Sequence, residues 1–264
     1  MKSIRQGEIQ WKRVVTPADA LRFIDAAGFC LLFPVKDIPL PSLYFAMTRR
    51  IPITWDKYAL KLWDWKSDFP RKRHAFYGKH FRGRGTFLSL GMLPDFLAMH
   101  GSAAAPSEHA RFYAEGRISH DAATIWETLE RLGPLATLEL RHACKMDSKA
   151  GNVRFKRAMA KLQGLLLVTH FGAEQETEAW ASGRFELTSR AFSLEVEAAR
   201  VTEPAAARAA VAARYLHWHL DAEPKTITRL FGWSKEETLE AVSRARRSQP
   251  DLRGRAAKPK AVAR

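Results

Sequence analysis

Residues 120–171 read HDAATIWETLERLGPLATLELRHACKMDSKAGNVRFKRAMAKLQGLLLVTHF, and their patterning decides the fold. Ile125, Leu129 and Leu132 recur at helical spacing, and Gly133-Pro134 ends that helix. A short second helix is expected within Leu135–Met146, with Thr137 as N-cap and Leu138, Leu140 and Cys144 inside. Asp147 or Ser148 can cap a third helix over 149–163, because either side chain accepts a hydrogen bond from an orphan amide of the first turn. Its inward positions read as Val153, Phe155, Met159 and Leu162, and Gly164 closes it. Leu165–Phe171 then reads as a strand, 173–183 as a loop and Arg184–Arg190 as a returning strand. Three helices followed by a two-stranded hairpin is the order of a winged helix-turn-helix.

Toward the C-terminus the pattern recurs without its hairpin. Residues 204–220 form an Ala-rich helical stretch, and Pro224-KTITRLFGW resembles the second helix of a helix-turn-helix. Ser234 then caps KEETLEAVSRAR, with Glu237 at the capping-box position. Aligning Pro134-LATLEL with Pro224-KTITRL sets Leu140 over Leu230, a duplication with a period of about 90 residues. No apolar hairpin follows the second copy, so a bare three-helix unit is expected there.

Toward the N-terminus, Thr16 caps a helix that starts at Pro17 and carries Leu21 and Ile24. Phe29-CLLFPV reads as a short strand or a buried turn; Thr86-FLSL as a strand or short helix; Pro94-DFLAMH as a helix. The predicted architecture is α+β and mostly helical, with tandem winged helix-turn-helix units behind an N-terminal α/β segment. Expected boundaries are 1–117 for that aromatic and basic segment, 118–200 for the winged unit, 201–247 for the second helix-turn-helix unit and 248–264 for a disordered basic tail.

The chain has 264 residues and is 46% apolar, enough to bury a core and inconsistent with wholesale disorder. Cys30 and Cys144 stand far apart, which argues against a disulfide scaffold or a Cys-ligated zinc module and suits a reducing compartment. No apolar run reaches the length of a membrane span, and the opening MKSIRQGEIQWKR has no apolar signal core, so a cytoplasmic protein, nucleoid-associated if bacterial, is expected. Forty-three Lys and Arg against 28 acids leave a net charge of +15. The excess sits in residues 61–85, 145–161 and 241–264, so the remainder is slightly acidic. Clustered basic charge on a folded chain points to a polyanionic partner, double-stranded DNA foremost. The tail alone can equally be a solubilising extension.

Two stretches could meet that partner. On the third helix, Lys149, Asn152, Arg154, Lys156 and Arg157 lie off the apolar face, where recognition helices present such groups to bases and phosphates. In Phe69-PRKRHAFYGKHFRGRG, Arg71, Lys72, Arg73, Lys79, Arg82 and Arg84 alternate with Phe76, Tyr77 and Phe81. Those aromatics read either as stacking surfaces for an unpaired base or as core. Glu174, Glu176 and Glu178 in the loop of the hairpin would repel phosphate. His74 and His80, six apart, match no common metal spacing, and neither metal nor cofactor is expected. Phosphate-loop, dinucleotide and common hydrolase motifs are missing from the sequence.

Several stretches carry a family resemblance: ADALRFIDAAGFCLLFPVKDIPLPSLY at 18–44, Trp63-Asp64-Trp65-Lys66, YGKHFRGRGTFLSL at 77–90, ERLGPLATLELR at 130–141 and Leu230-Phe231-Gly232-Trp233. On these the chain resembles the tandem winged-helix DNA glycosylases of the AlkZ/YcaQ type, and more closely the shorter AlkZ-related proteins. The resemblance implies DNA repair or damage recognition on duplex DNA. It also implies a Gln-x-Gln or Gln-x-Asp motif after the first helix, which positions a water and stabilises the cationic sugar. The corresponding residues here, Leu31–Asp37, contain no Gln. Asp37 is the nearby carboxylate and hence the candidate catalytic residue of a DNA glycosylase, its other reading being a surface aspartate in a Pro-bounded turn. A winged-helix transcriptional regulator without enzymatic activity is the alternative.

Overall fold

The computed structural model describes residues 12–52, 54–103, 108–175 and 181–248, which divide into two compact units, 12–204 and 205–248. The described chain is mostly helical, with two small antiparallel sheets.

The first unit opens with α1 (Pro17–Ala27). Thr16 Oγ1 accepts the Asp19 amide at 3.1 Å and Asp19 Oδ2 accepts the Thr16 amide at 3.0 Å, so two orphan donors are satisfied reciprocally. Ala20, Phe23, Ile24 and Ala27 face inward. The chain then forms β1 (Phe29–Leu31), α2 (Leu43–Thr48) and α3 (Lys57–Arg71), whose first amides are capped by Asp56. β2 (Phe76–Lys79), a 3-10 turn over Phe81–Gly83 and β3 (Gly85–Leu88) follow. They assemble as β1-β3-β2, with Cys30 and Tyr77 both paired to Phe87. Both stretches that read two ways, 29–35 and 86–90, therefore contribute strands. α4 (Leu93–His100) and α5 (Glu108–Ala114) complete this half.

The second half of the unit is α6 (His120–Leu132), β4 (Leu135–Ala136), α7 (Thr137–Ala143), α8 (Lys149–Gly164), β5 (Val168–Glu174), β6 (Ser182–Leu187), α9 (Thr188–Ala191) and α10 (Ser193–Arg200). Three helices and a hairpin stand in the expected order. Ile125, Leu129, Leu140, Phe155, Met159, Leu162 and Val168 share one apolar core. β4 adds a third strand, in the order β4-β6-β5. The expected boundary at 117/118 lies inside this unit, where α3 packs on β5 and α8 on β2.

Four local expectations are corrected. Thr137 is the first residue of α7 rather than its cap, because its hydroxyl donates instead to the Gly183 carbonyl at 2.8 Å. Leu132 and Leu138 are exposed: the period gives a helix's face but not how far the neighbouring element reaches along it. Val153 is 57% exposed, since the buried stripe of α8 runs through Gly151, Phe155, Ala158, Met159 and Leu162 and residue 153 lies two positions, about 200°, from Phe155.

The second unit carries α11 (Pro204–Trp218), α12 (Pro224–Phe231) and α13 (Lys235–Ser248). Ser234 Oγ accepts the Glu237 amide at 3.1 Å and Glu237 Oε2 the Ser234 amide at 2.8 Å, the capping box read from sequence. Among the described residues no strand follows α12 or α13. The expected tail lies outside the described residues from position 249 on. No helix among them is long and apolar enough to cross a membrane.

Candidate nucleic-acid interface

α8 begins where Ser148 turns its hydroxyl to the Gly151 amide at 3.0 Å. No acid occupies the first turn of α8, and the Asp147 carboxylate just before the cap lies 3.1 Å from His142 Nδ1. Opposite the buried stripe, Lys149, Arg154, Lys156 and Arg157 are exposed and Asn152 is half-buried. Arg154 is committed elsewhere: its guanidinium makes a two-pronged bond to Asp121 of α6, with Nε–Oδ2 at 2.9 Å, and that contact holds the Asp121 carboxyl below its usual range. Lys149, Lys156 and Arg157 have no ion-pair partner among the described residues. They carry the accessible charge of this face.

The other end of α8 is anchored to the β2–β3 region. The Lys79 amide donates to Gln163 Oε1 at 3.1 Å, and His80 Nδ1 lies 2.9 Å from the Gly164 carbonyl. A carbonyl only accepts, so His80 carries its proton on Nδ1. Two basic stretches more than sixty residues apart in sequence thus adjoin through α8.

The 71–84 stretch separates into parts. Arg71 and Lys72 share Asp68, each at 3.2 Å, so much of their charge is offset on α3. Arg73, Lys79, Arg82 and Arg84 are exposed. Phe76, Tyr77 and Phe81 are buried, which decides between their two readings in favour of core: β2 is covered on both faces, Phe76 meeting Phe192 and Tyr77 meeting Phe87 and His170, while Lys79 at its end reaches water. Asp37 is exposed beside the tight Val35–Ile38 turn, and its carbonyl accepts a long hydrogen bond, 3.4 Å, from Arg82. Asp37 and Arg82 therefore meet through the Asp37 backbone carbonyl. On the hairpin, Glu174 pairs with Arg184 at 3.3 Å, while Glu176 and Glu178 lie outside the described residues.

Three groups were assigned no role from the sequence. Lys66 is nearly buried, its ammonium 3.3 Å from the centre of the Trp63 ring; burial and the charge of Lys79 pull its pKa down to about 8. His170 on β5 is 5% exposed, with neither ring nitrogen hydrogen-bonded among the described residues, and burial with the charges of Lys66 and Lys79 lowers it to about 3. Trp55 and Trp63 are 51% and 37% exposed, although tryptophan is mostly interior. The i, i+3 spacing of Trp63 and Lys66 was the available signal for the first of these contacts. Among the described residues no His, Cys, Asp and Glu side chains gather as a metal site requires.

A solved structure, the DNA glycosylase AlkZ of Streptomyces sahachiroi, is similar to this chain at 16% identity with a TM-score of 0.51, covering 85% of this chain. The chain spans 58% of the length of that structure. A search of the curated proteins finds no match. The sequence pattern of the family described as AlkZ related matches residues 14–232, from the turn before α1 to the end of α12. With that match running over most of its length, the chain belongs to the AlkZ-related family.

Proposed function

We propose that the protein grips double-stranded DNA through α8 and the adjoining 79–84 turn and acts in DNA repair or damage recognition. The observation that carries the reading is the division of α8, whose apolar stripe and C-terminal end are fixed in the fold while Lys149, Lys156 and Arg157 project unpaired. The segment from α6 to β6 reads as a winged helix-turn-helix, with α8 in the position of the recognition helix. Membership of the AlkZ-related family, and the name of the similar structure, support DNA as the ligand. The second unit reads as a wingless companion to the first.

Each phosphate neutralised by Lys or Arg releases condensed counterions, so affinity falls with salt in proportion to the number of contacts. Lys156→Ala and Arg157→Ala are each expected to weaken binding of every duplex alike and to reduce the salt slope by about 1. Arg154→Ala is expected to do less, since Asp121 already holds that guanidinium. Duplex titrations at several salt concentrations measure both quantities; unchanged slopes in all three variants would sink the docking face.

The catalytic half of the reading turns on Asp37. Hydrolysis of an N-glycosidic bond develops positive charge on the sugar, and a carboxylate near it can stabilise that charge and orient water. Asp37 supplies the carboxylate in a stretch without glutamine, and Arg82 beside it supplies a cation for a neighbouring phosphate. The test is a duplex carrying N7-alkylated purines, treated with base to reveal abasic sites. Strand breaks that disappear in Asp37→Asn establish a glycosylase. Binding without breaks leaves damage recognition alone, and preference for one intact sequence over damaged duplex marks a regulator instead.

A further inference from the structure

We infer that Val153, at the centre of the exposed crest of α8, reads the duplex by packing on the C5 methyl of thymine in the major groove; this rests on the DNA-binding reading above. At about 100° per residue, the buried stripe of Gly151, Phe155, Ala158, Met159 and Leu162 lies about 120–180° from Val153, so this side chain points away from the core. Lys149 and Arg157 stand about 40° to either side of it and Lys156 about 60° away, all three exposed and without an ion-pair partner among the described residues. Asn152 and Arg154 lie about 100° off, on the flanks, and Arg154 is held there by Asp121. Ala150 and Ala160 are exposed on the same crest, which leaves it low between the long cationic side chains.

Neither packing nor helix formation calls for valine at this position. The side chain is mostly exposed, and a β-branched residue is a poorer helix former than the Lys, Arg and Ala around it. Its use lies in what it presents. β-Branching leaves one strongly preferred rotamer in a helix, so two methyl groups are offered in a fixed direction and docking orders little further. The surrounding cations decide what those methyls can meet. A partner must place negative charge around an apolar centre, and the major groove does so, with a row of phosphates on each side and base edges between. On those edges the apolar group that marks a base pair is the thymine methyl. The other marks are donors and acceptors, which valine would strip of water without returning a hydrogen bond. Val153 therefore favours A·T over G·C pairs through a carbon contact.

The experiment compares a duplex of alternating A·T pairs with the same duplex built with uracil, which keeps every Watson–Crick bond and every phosphate and removes only the methyl. The wild-type protein is expected to bind the thymine form about fourfold more tightly, the worth of one carbon group taken out of water. Val153→Ala should lose that preference by weakening the thymine form alone, and Val153→Ile should keep it. Alanine is the better helix former, so Val153→Ala should fold as the wild type does, and far-UV circular dichroism verifies it. Lys156→Ala should weaken both forms alike and leave the preference intact. A wild type that binds both forms equally, or a preference that survives in Val153→Ala, overturns the base contact while duplex binding stands. No binding of the wild type to either form overturns both.

Discussion

Gly151→Ala is expected to destabilise the protein by about 1–3 kcal/mol, even though alanine is the better helix former. A Cβ at Gly151 would stand 2.7 Å from the carbonyl carbon and oxygen of Met146 and 2.9 Å from its Cα. Those are backbone atoms, and the turn that holds them has little room to yield. The Met146 amide donates to the Arg141 carbonyl at 2.9 Å, and the Arg141 guanidinium reaches the carbonyls of Met146 and Asp147 at 3.5 and 3.0 Å. Lys145 is already left-handed at φ 56°. Relief must therefore come from moving α8 away from the α7–α8 turn, which opens the Phe155 and Met159 layer behind it. At about 2–4 °C per kcal/mol for a unit of this size, Tm should drop by several degrees. Gly164→Ala is the internal control: it lies in the last turn of the same helix with no heavy atom within 4 Å of its Cβ, and should gain about 0.5–1 kcal/mol. Thermal melts that place the two variants together would show that no such close approach exists. If α8 carries the docking face proposed above, Gly151→Ala should also weaken DNA binding without touching a charged group.

What could be read from the sequence was what depends on local chemistry. Helix 120–132 was legible because the 125/129 spacing and the Gly133-Pro134 stop act within the helix itself, and Ser234 with Glu237 announced α13 in the same way. The strands at 29–31 and 85–88 were ambiguous because each is only three or four residues long, too short to show a period. β4 escaped notice for a stronger reason. Two residues have no period at all, and Leu135 and Ala136 are a strand solely because Phe185 and Arg184 lie opposite them. The site divides along the same line. That Lys149, Lys156 and Arg157 sit off the apolar face follows from counting along one helix. That Arg154 is spent on Asp121, thirty-three residues away, does not. Nor could any local rule sort the aromatics of the basic segment: Phe76 and Tyr77 are buried by pairing with β3, whereas Trp55 and Trp63 stay partly exposed because α3 turns that edge outward. Long-range packing decides which rings a ligand can reach.

The same packing makes the fold acid-sensitive. Stability is expected to fall steeply once pH drops below about 6, well above the range where carboxylates titrate. His170 is lowered to about 3 by burial and by Lys66 and Lys79; His100 to about 3 by burial, with the charges of His80, Arg117 and Lys161; His80 to about 4 by burial, against the Gly164 carbonyl. A histidine whose folded pKa lies below the ordinary 6.5 binds more protons unfolded than folded between the two values. Its cost is absent above 6.5 and grows as pH falls, until the folded value is reached. At about 1.4 kcal/mol per pH unit, His170 alone contributes on the order of several kcal/mol, a large part of the stability of a typical domain. His80 and His100 stand 5.1 Å apart, so charging one opposes charging the other. Asp95 works in the opposite direction. Burial raises it to about 6, so protonation stabilises the fold as pH falls from there toward 3.8, offsetting part of one histidine. Asp121 and Asp56, held low by their partners, are lost only below 3.8. Tryptophan fluorescence and circular dichroism followed from about pH 8 to pH 3 should show unfolding within the histidine window. His170→Leu isolates the largest contributor. It removes two buried nitrogens without hydrogen bonds, so neutral-pH stability should hold or rise while the acid midpoint moves down. A midpoint unmoved in His170→Leu would mean that burial does not hold the ring's pKa below its ordinary value in the folded protein.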